Sequence, residues 1–242
     1  MRNFRNLIVM SAVALGSTVA MTAQAKTYSW VFATSGNQGN VGSASHTYFD
    51  TTNTLALKAH GYTAHNTDTG SHVVNGVWNT GSVQDTNLFN KYSGPGATDE
   101  TGLGLNRTGQ NEIGTNNFIQ FDVSNLIAGH YTNLNFIVSS IQQGEGYTVW
   151  GSNSVGTPGT LLRSFTDNSG SNLINSFLAP QFGTYNYYSI GASSGNVLVE
   201  NGVSVDAPAV PEASTSVGFS GLLVIGGLSM VRRRRVRASK VA

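Results

Sequence analysis

The chain predicts an all-β fold, a β-sandwich of jelly-roll or Ig-like type, and three observations carry that prediction. Between Lys26 and Asp206 apolar residues recur with period two over short runs, the repeat of a strand with one face buried. The runs are separated by Gly, Asn, Ser and Thr, residues that favour turns. No stretch of helical period and useful length occurs there, so sheet must pack on sheet to close a core.

Tyr28, Trp30 and Phe32 alternate with Ser29, Val31 and Ala33 and read as the first strand. Ser35 to Ser45 is polar and reads as loop. Thr54 to Ala64 is the second strand, with Leu55, Leu57 and Ala59 on one face, and Val73 to Trp78 is a weaker third. Val83 to Gly96 reads as irregular and ends in Ser93-Gly94-Pro95-Gly96. Gly102-Leu103-Gly104-Leu105-Asn106 follows, and then Ile119, Phe121 and Val123 alternate with Phe118, Gln120 and Asp122. Leu134, Phe136 and Val138 mark the next strand, Tyr147 to Trp150 another, and Leu161 to Thr166 another. Ser169 to Phe182 reads as a helical turn or a loop. Tyr185 to Ile190 and Val197 to Val205 close the domain, expected to pair across Ser193-Ser194-Gly195-Asn196, with Asn201-Gly202 as a bulge or second turn.

Both flanks differ from this domain. Residues 1–25 carry Arg2 and Arg5, an apolar run from Leu7 to Ala20 and the small-x-small site Ala23-Gln24-Ala25. This is the pattern of a secretory signal peptide, with Lys26 as the new N-terminus; a transmembrane helix is disfavoured because the run is short and meets the cleavage site directly. Residues 207–216 form a linker holding Val210-Pro211-Glu212-Ala213. Residues 217–231 are free of charge and are predicted as a short transmembrane helix. At the helical rise they span roughly 22 Å, short against a hydrocarbon core of about 30 Å. Residues 232–242 open with Arg232, Arg233, Arg234 and Arg235, which hold that end in the cytoplasm and would not follow directly on a core helix.

The Val-Pro-Glu motif, apolar helix and arginine cluster together resemble a PEP-CTERM sorting signal. The resemblance implies recognition of Pro211 and Glu212 by exosortase, a membrane-embedded cysteine protease/transpeptidase, with Arg232 to Arg235 as the cytoplasmic stop. Many members carry a second proline where this chain has Ala213. It further implies passage through the secretion machinery, transient residence in the inner membrane of a Gram-negative-type bacterium, and delivery to the cell surface or extracellular matrix. Exopolysaccharide and biofilm are the associations the family suggests. The second half of the domain, with Gly102-Leu103-Gly104, Phe118 to Asp122 and Tyr147 to Ser152, is similar to a domain often found ahead of such tails, and that similarity implies the sandwich alone.

Charge narrows the function. The whole chain is formally +1, but from Lys26 to Asp206 five basic residues face eleven acids, so the domain is −6. A nucleic-acid partner needs a basic footprint, which is absent from this domain. There is no cysteine, which excludes disulfides and papain-type catalysis. No Gly-x-Ser-x-Gly elbow and no phosphate-binding loop occurs, no cofactor is expected, and the chain is read as a non-enzyme, with a secreted hydrolase as an alternative. His60, His65, His72 and Asp68 match no metal-ligand spacing and read as surface residues. Asp99, Glu100, Glu112 and Asp122 are candidate calcium ligands. Trp78 and Trp150 are candidate sugar-stacking residues for a carbohydrate-binding module, with Tyr185, Tyr187 and Tyr188 beside them; Tyr187 and Tyr188 must point to opposite faces of a strand.

Overall fold

The computed structural model describes residues 25–64, 73–74, 77–78, 82–96, 98–107, 110–169 and 172–208. Ala23, the linker motif Val210 to Ala213, the apolar run 217–231 and Arg232 to Arg235 lie outside the described residues, as do His65, Asp68 and His72. Among the described residues no helix is long and apolar enough to cross a membrane.

The chain is built from short strands: β1 (Thr27–Trp30), β2 (Gly39–Asn40), β3 (Ser45–Phe49), β4 (Ala56–Ala64), β5 (Val73–Val74) and β6 (Val77–Trp78). Next come β7 (Val83–Asp85), β8 (Leu88–Lys91), a 3-10 turn at Thr98–Glu100, β9 (Gly102–Leu105), β10 (Ile113–Gly114) and β11 (Asn117–Asp122). A one-turn helix α1 (Ser124–Ala128) leads to β12 (Thr132–Ile141), β13 (Gly146–Ser152) and β14 (Thr160–Thr166). The chain then runs through β15 (Leu173–Leu178), β16 (Tyr187–Ser194), β17 (Asn196–Glu200) and β18 (Val203–Asp206).

All pairing is antiparallel, and the fold is all-β with two main sheets. In sheet 1, β12 pairs with β15 on one edge and with β17 and β18 on the other. Beyond them, β1 lies against β18, β9 and β10 lie against β17, β8 against β9 and β2 against β8. Sheet 2 runs β14-β13-β16-β11-β4, with β3 and β7 sharing the far edge of β4. The inward residues of both sheets meet in one core: Phe136, Val138 and Val199 from sheet 1 pack with Leu57, Phe121 and Tyr188 from sheet 2. Alternation across the pleat sends every second residue inward, so period two in the sequence becomes this shared layer.

The structure corrects several strand assignments, each for a local reason. The expected hairpin between the last runs does not form. The turn is present, with Gly195 at φ +64°, but it carries the chain from β16 in sheet 2 to β17 in sheet 1. The two runs therefore face each other across the core instead of pairing, which buries Tyr188 and Ile190 against Val197 and Val199. The segment read as helical turn or loop contains β15, an edge strand whose outward face holds Ile174 and Leu178 while Phe177 alone is well buried, so its apolar pattern is inverted. The stretch read as irregular contains β7 and β8. In β8 the buried partner of Leu88 is Asn90, which accepts from the Tyr48 hydroxyl at 2.9 Å and donates to the Asn37 carbonyl at 3.2 Å; a satisfied buried amide breaks the apolar alternation. The polar stretch before the second predicted strand ends in β3, in which only Tyr48 is buried. Asn201-Gly202 forms a turn between β17 and β18, which lie end to end on the same edge of β12. The Asn201 side chain there accepts from the N–H groups of Phe32 and Ala33 at 2.8 and 3.0 Å.

Candidate functional site

The outer face of sheet 2 is organised by register. Thr47, Lys58, Asp122 and Tyr187 stand opposite one another on β3, β4, β11 and β16 and form one row. Ser45, His60, Gln120 and Ser189 form the next row, and Tyr62, Phe118 and Gly191 a third. Residues directly opposite on one face lie close enough to act together.

The third row is sealed. Tyr62, Phe118 and Trp150 make a small buried cluster of their own. Trp78, from the β5–β6 ribbon, stands edge-on to Phe118 at 5.0 Å and to Trp150 at 6.4 Å. Gly191 makes this possible, because a Cβ there would lie 3.0 Å from the Trp150 ring. Trp150 is thus 0% exposed with Trp78 turned onto it, so the open stacking platform expected there is not formed at Trp150. Tyr187 and Tyr188 do point oppositely: Tyr188 is in the core and Tyr187 is half-buried on the outer face.

The first row, with His60 beside it, borders open space. A cavity of about 130 Å³ is lined by Lys58, His60, Gln120, Asp122, Val155 and Tyr187. A second of about 200 Å³, with Thr47, Ser124 and Asn125 in its lining, shares Lys58 and Asp122 with the first, so the two lie side by side along the row. Gln120 is buried and fixes the groove wall: its Oε1 accepts from the Gly156 N–H at 2.8 Å, and its Nε2 donates to the Thr157 carbonyl at 3.0 Å and to Ser189 Oγ at 3.2 Å. Asp122 Oδ1 accepts from the N–H and hydroxyl of Ser124, where the chain turns into α1. His60 stacks flat on Tyr62 at 4.3 Å, with Nε2 2.9 Å from Asp85 Oδ1. Burial, with the Asp85 charge beside it, pushes the Tyr62 phenol up to about 12.

On sheet 1 a lysine of β8 meets carboxylates instead. An irregularity in β12 between Val138 and Ile141, where Ser140 takes φ +58°, brings the Ser140 hydroxyl to Glu100 Oε1 at 3.0 Å and Glu112 Oε1 at 3.2 Å. Lys91 Nζ donates to both carboxylates. Burial alone would lower the Lys91 pKa, but the hydrogen bonds and charges of Glu100 and Glu112 outweigh it and raise it. Two of the candidate calcium ligands therefore converge, but on an ammonium group, while Asp122 lies in the other sheet. Among the described residues no group of three or more His, Asp or Glu is placed to hold a metal ion. The pair also lacks the arrangement a glycoside hydrolase needs, two carboxyls facing an open cleft, since Lys91 lies between them and Glu112 is only 12% exposed. Nearby, Glu200 is buried with Oε2 unpartnered, and that burial, reinforced by Asp99, pushes its carboxyl up to about 7.

A further recess, of about 600 Å³, opens at the end of the sandwich beside Tyr131, Leu178 and Phe182. Its Asn133 is tied to Asp206 at 2.9 Å, next to where the chain leaves β18.

The Lys58–Asp122–Tyr187 row was not visible in the sequence, because its members lie far apart in the chain and only the register aligns them. Comparison with protein-family models, curated proteins and solved structures finds no match to this chain.

Proposed function

We propose that this chain is an exported cell-surface or extracellular-matrix protein of a Gram-negative-type bacterium, sorted through a PEP-CTERM signal by exosortase and working beside exopolysaccharide in a biofilm. The observation that carries the reading is the order of Val210-Pro211-Glu212-Ala213, the uncharged run 217–231 and Arg232 to Arg235. The ends of the folded unit agree with it. β1 opens at Thr27, just after Ala25, and β18 closes at Asp206, just before the motif; the two are neighbours, and the Ala207 N–H donates to the Lys26 carbonyl at 2.7 Å. The signal-peptide processing point at Ala25 would then lie just outside the strands.

The sandwich itself is best read as a jelly roll rather than Ig-like. From β10 to β17 each connection crosses between sheets except the β13–β14 hairpin, and the two four-strand sets β10-β17-β12-β15 and β11-β16-β13-β14 have the order of two nested Greek keys. Mass spectrometry of the mature protein from its own host tests the sorting. A chain beginning at Lys26 and ending near Glu212 is expected. A surface-fraction chain that still carries Arg235 would overturn it.

A further inference from the structure

We propose that the row Thr47, Lys58, Asp122 and Tyr187 is a binding track for a neutral polysaccharide. The physiological ligand rests on the reading of an exported chain that works beside polysaccharide; the geometry stands by itself. The row crosses four adjacent strands, so at a strand spacing of about 4.8 Å it extends ~15 Å, the length of a short oligosaccharide. It runs along two adjacent cavities that share Lys58 and Asp122. Lys58 and Asp122 are directly opposed, and among the described residues Lys58 makes no ion pair, so a donor-only ammonium sits next to an acceptor-only carboxylate. That pairing suits two neighbouring sugar hydroxyls, one accepting from the lysine and one donating to the aspartate.

The apolar parts are placed to match. Tyr187, opposite Asp122, half-buried and lining the cavity, is the aromatic residue placed to meet the C–H side of a pyranose. Val155, 62% exposed, stands on the facing wall. That wall is held by the buried Gln120 through its three hydrogen bonds, so little ordering is needed when a ligand enters. Charge selects the class of ligand. Lys58 and Asp122 cancel within the track, and the surrounding domain carries −6, which repels a polyanion.

The test is affinity electrophoresis of the full chain, purified in a non-glycosidic detergent, through native gels containing a β-glucan, a mannan, a galactan or, as the acidic probe, alginate. Retardation by at least one neutral polymer is expected, weakened roughly tenfold by Tyr187→Ala and by Lys58→Met and retained by Lys26→Met. Lys58→Met is an exposed change, so its result does not depend on whether Tyr187→Ala folds. Retardation by none of the neutral polymers, by alginate alone, or equally by wild type and both track variants would overturn the proposal. The sorting reading stands or falls separately. Correct processing without retardation removes the track alone, and retardation of a chain left intact at Arg235 in its host removes the sorting alone.

Discussion

On the outer face of sheet 1, Lys91 lies between Glu100 and Glu112 under the 3-10 turn Thr98–Glu100; on the outer face of sheet 2, Lys58 stands beside Asp122 with a groove above it. Both places set a lysine against carboxylates on a strand surface. They differ in what covers them. On the first, the charges are engaged with one another and with Ser140, and they hold the covering segment to the sheet. On the second, Trp78 seals the aromatic row, while among the described residues a groove stays open over Lys58 and Asp122. The contrast separates charge that maintains the fold from charge available to a ligand.

The strongest way to break the comparison is Lys91→Met. It leaves two largely buried carboxylates facing each other and is expected to cost about 3 kcal/mol in urea unfolding at pH 7. A loss no larger than that of Lys58→Met would remove the distinction between the two faces.

Glu200 gives the next largest effect, and its sign is definite. Its carboxyl is raised from 4.5 to about 7 in the folded protein, so the folded state holds the proton more tightly. The associated stability is complete below about pH 4.5 and is lost as pH rises through 7. Glu200→Gln is therefore expected to flatten this part of the stability profile and to be more stable than wild type at pH 8, by roughly 2 kcal/mol. Unfolding midpoints measured from pH 4.5 to 8 check this; parallel profiles for the two proteins would contradict it.

Trp78→Ala removes the cap over Phe118 and Trp150. It is expected to cost about 2 kcal/mol and to shift the tryptophan emission to the red as Trp150 meets water. An unshifted spectrum would mean that Trp150 is sheltered without the cap. The smallest effect belongs to the open face, where Lys58→Met is expected to change stability by less than about 0.5 kcal/mol while weakening polysaccharide retardation.

The sequence made the all-β architecture legible wherever a strand buries apolar residues on one face, as in Ile119, Phe121 and Val123 or Leu134, Phe136 and Val138. It hid strands whose buried positions are polar, such as Asn90 in β8, and an edge strand whose apolar residues face out, such as β15. The partner of each strand was hidden too, because Gly195 turns the chain equally well into a hairpin or across the core. Tryptophan looked like the natural sugar platform, yet Trp150 is covered by Trp78 from a distant ribbon, a contact no local pattern encodes. The open track depends wholly on register, so Lys58, Asp122 and Tyr187 could be named together only once the strands were paired.

The claim that the open face of sheet 2 is the one that meets a ligand is tested most directly by hydroxyl-radical footprinting of the full chain with and without a neutral polysaccharide that retards it. Protection is expected at Tyr187 and Val155, with Ile174 and Leu178, exposed on β15 of sheet 1, unchanged. Protection at Ile174 and Leu178 with Tyr187 still reactive would contradict it.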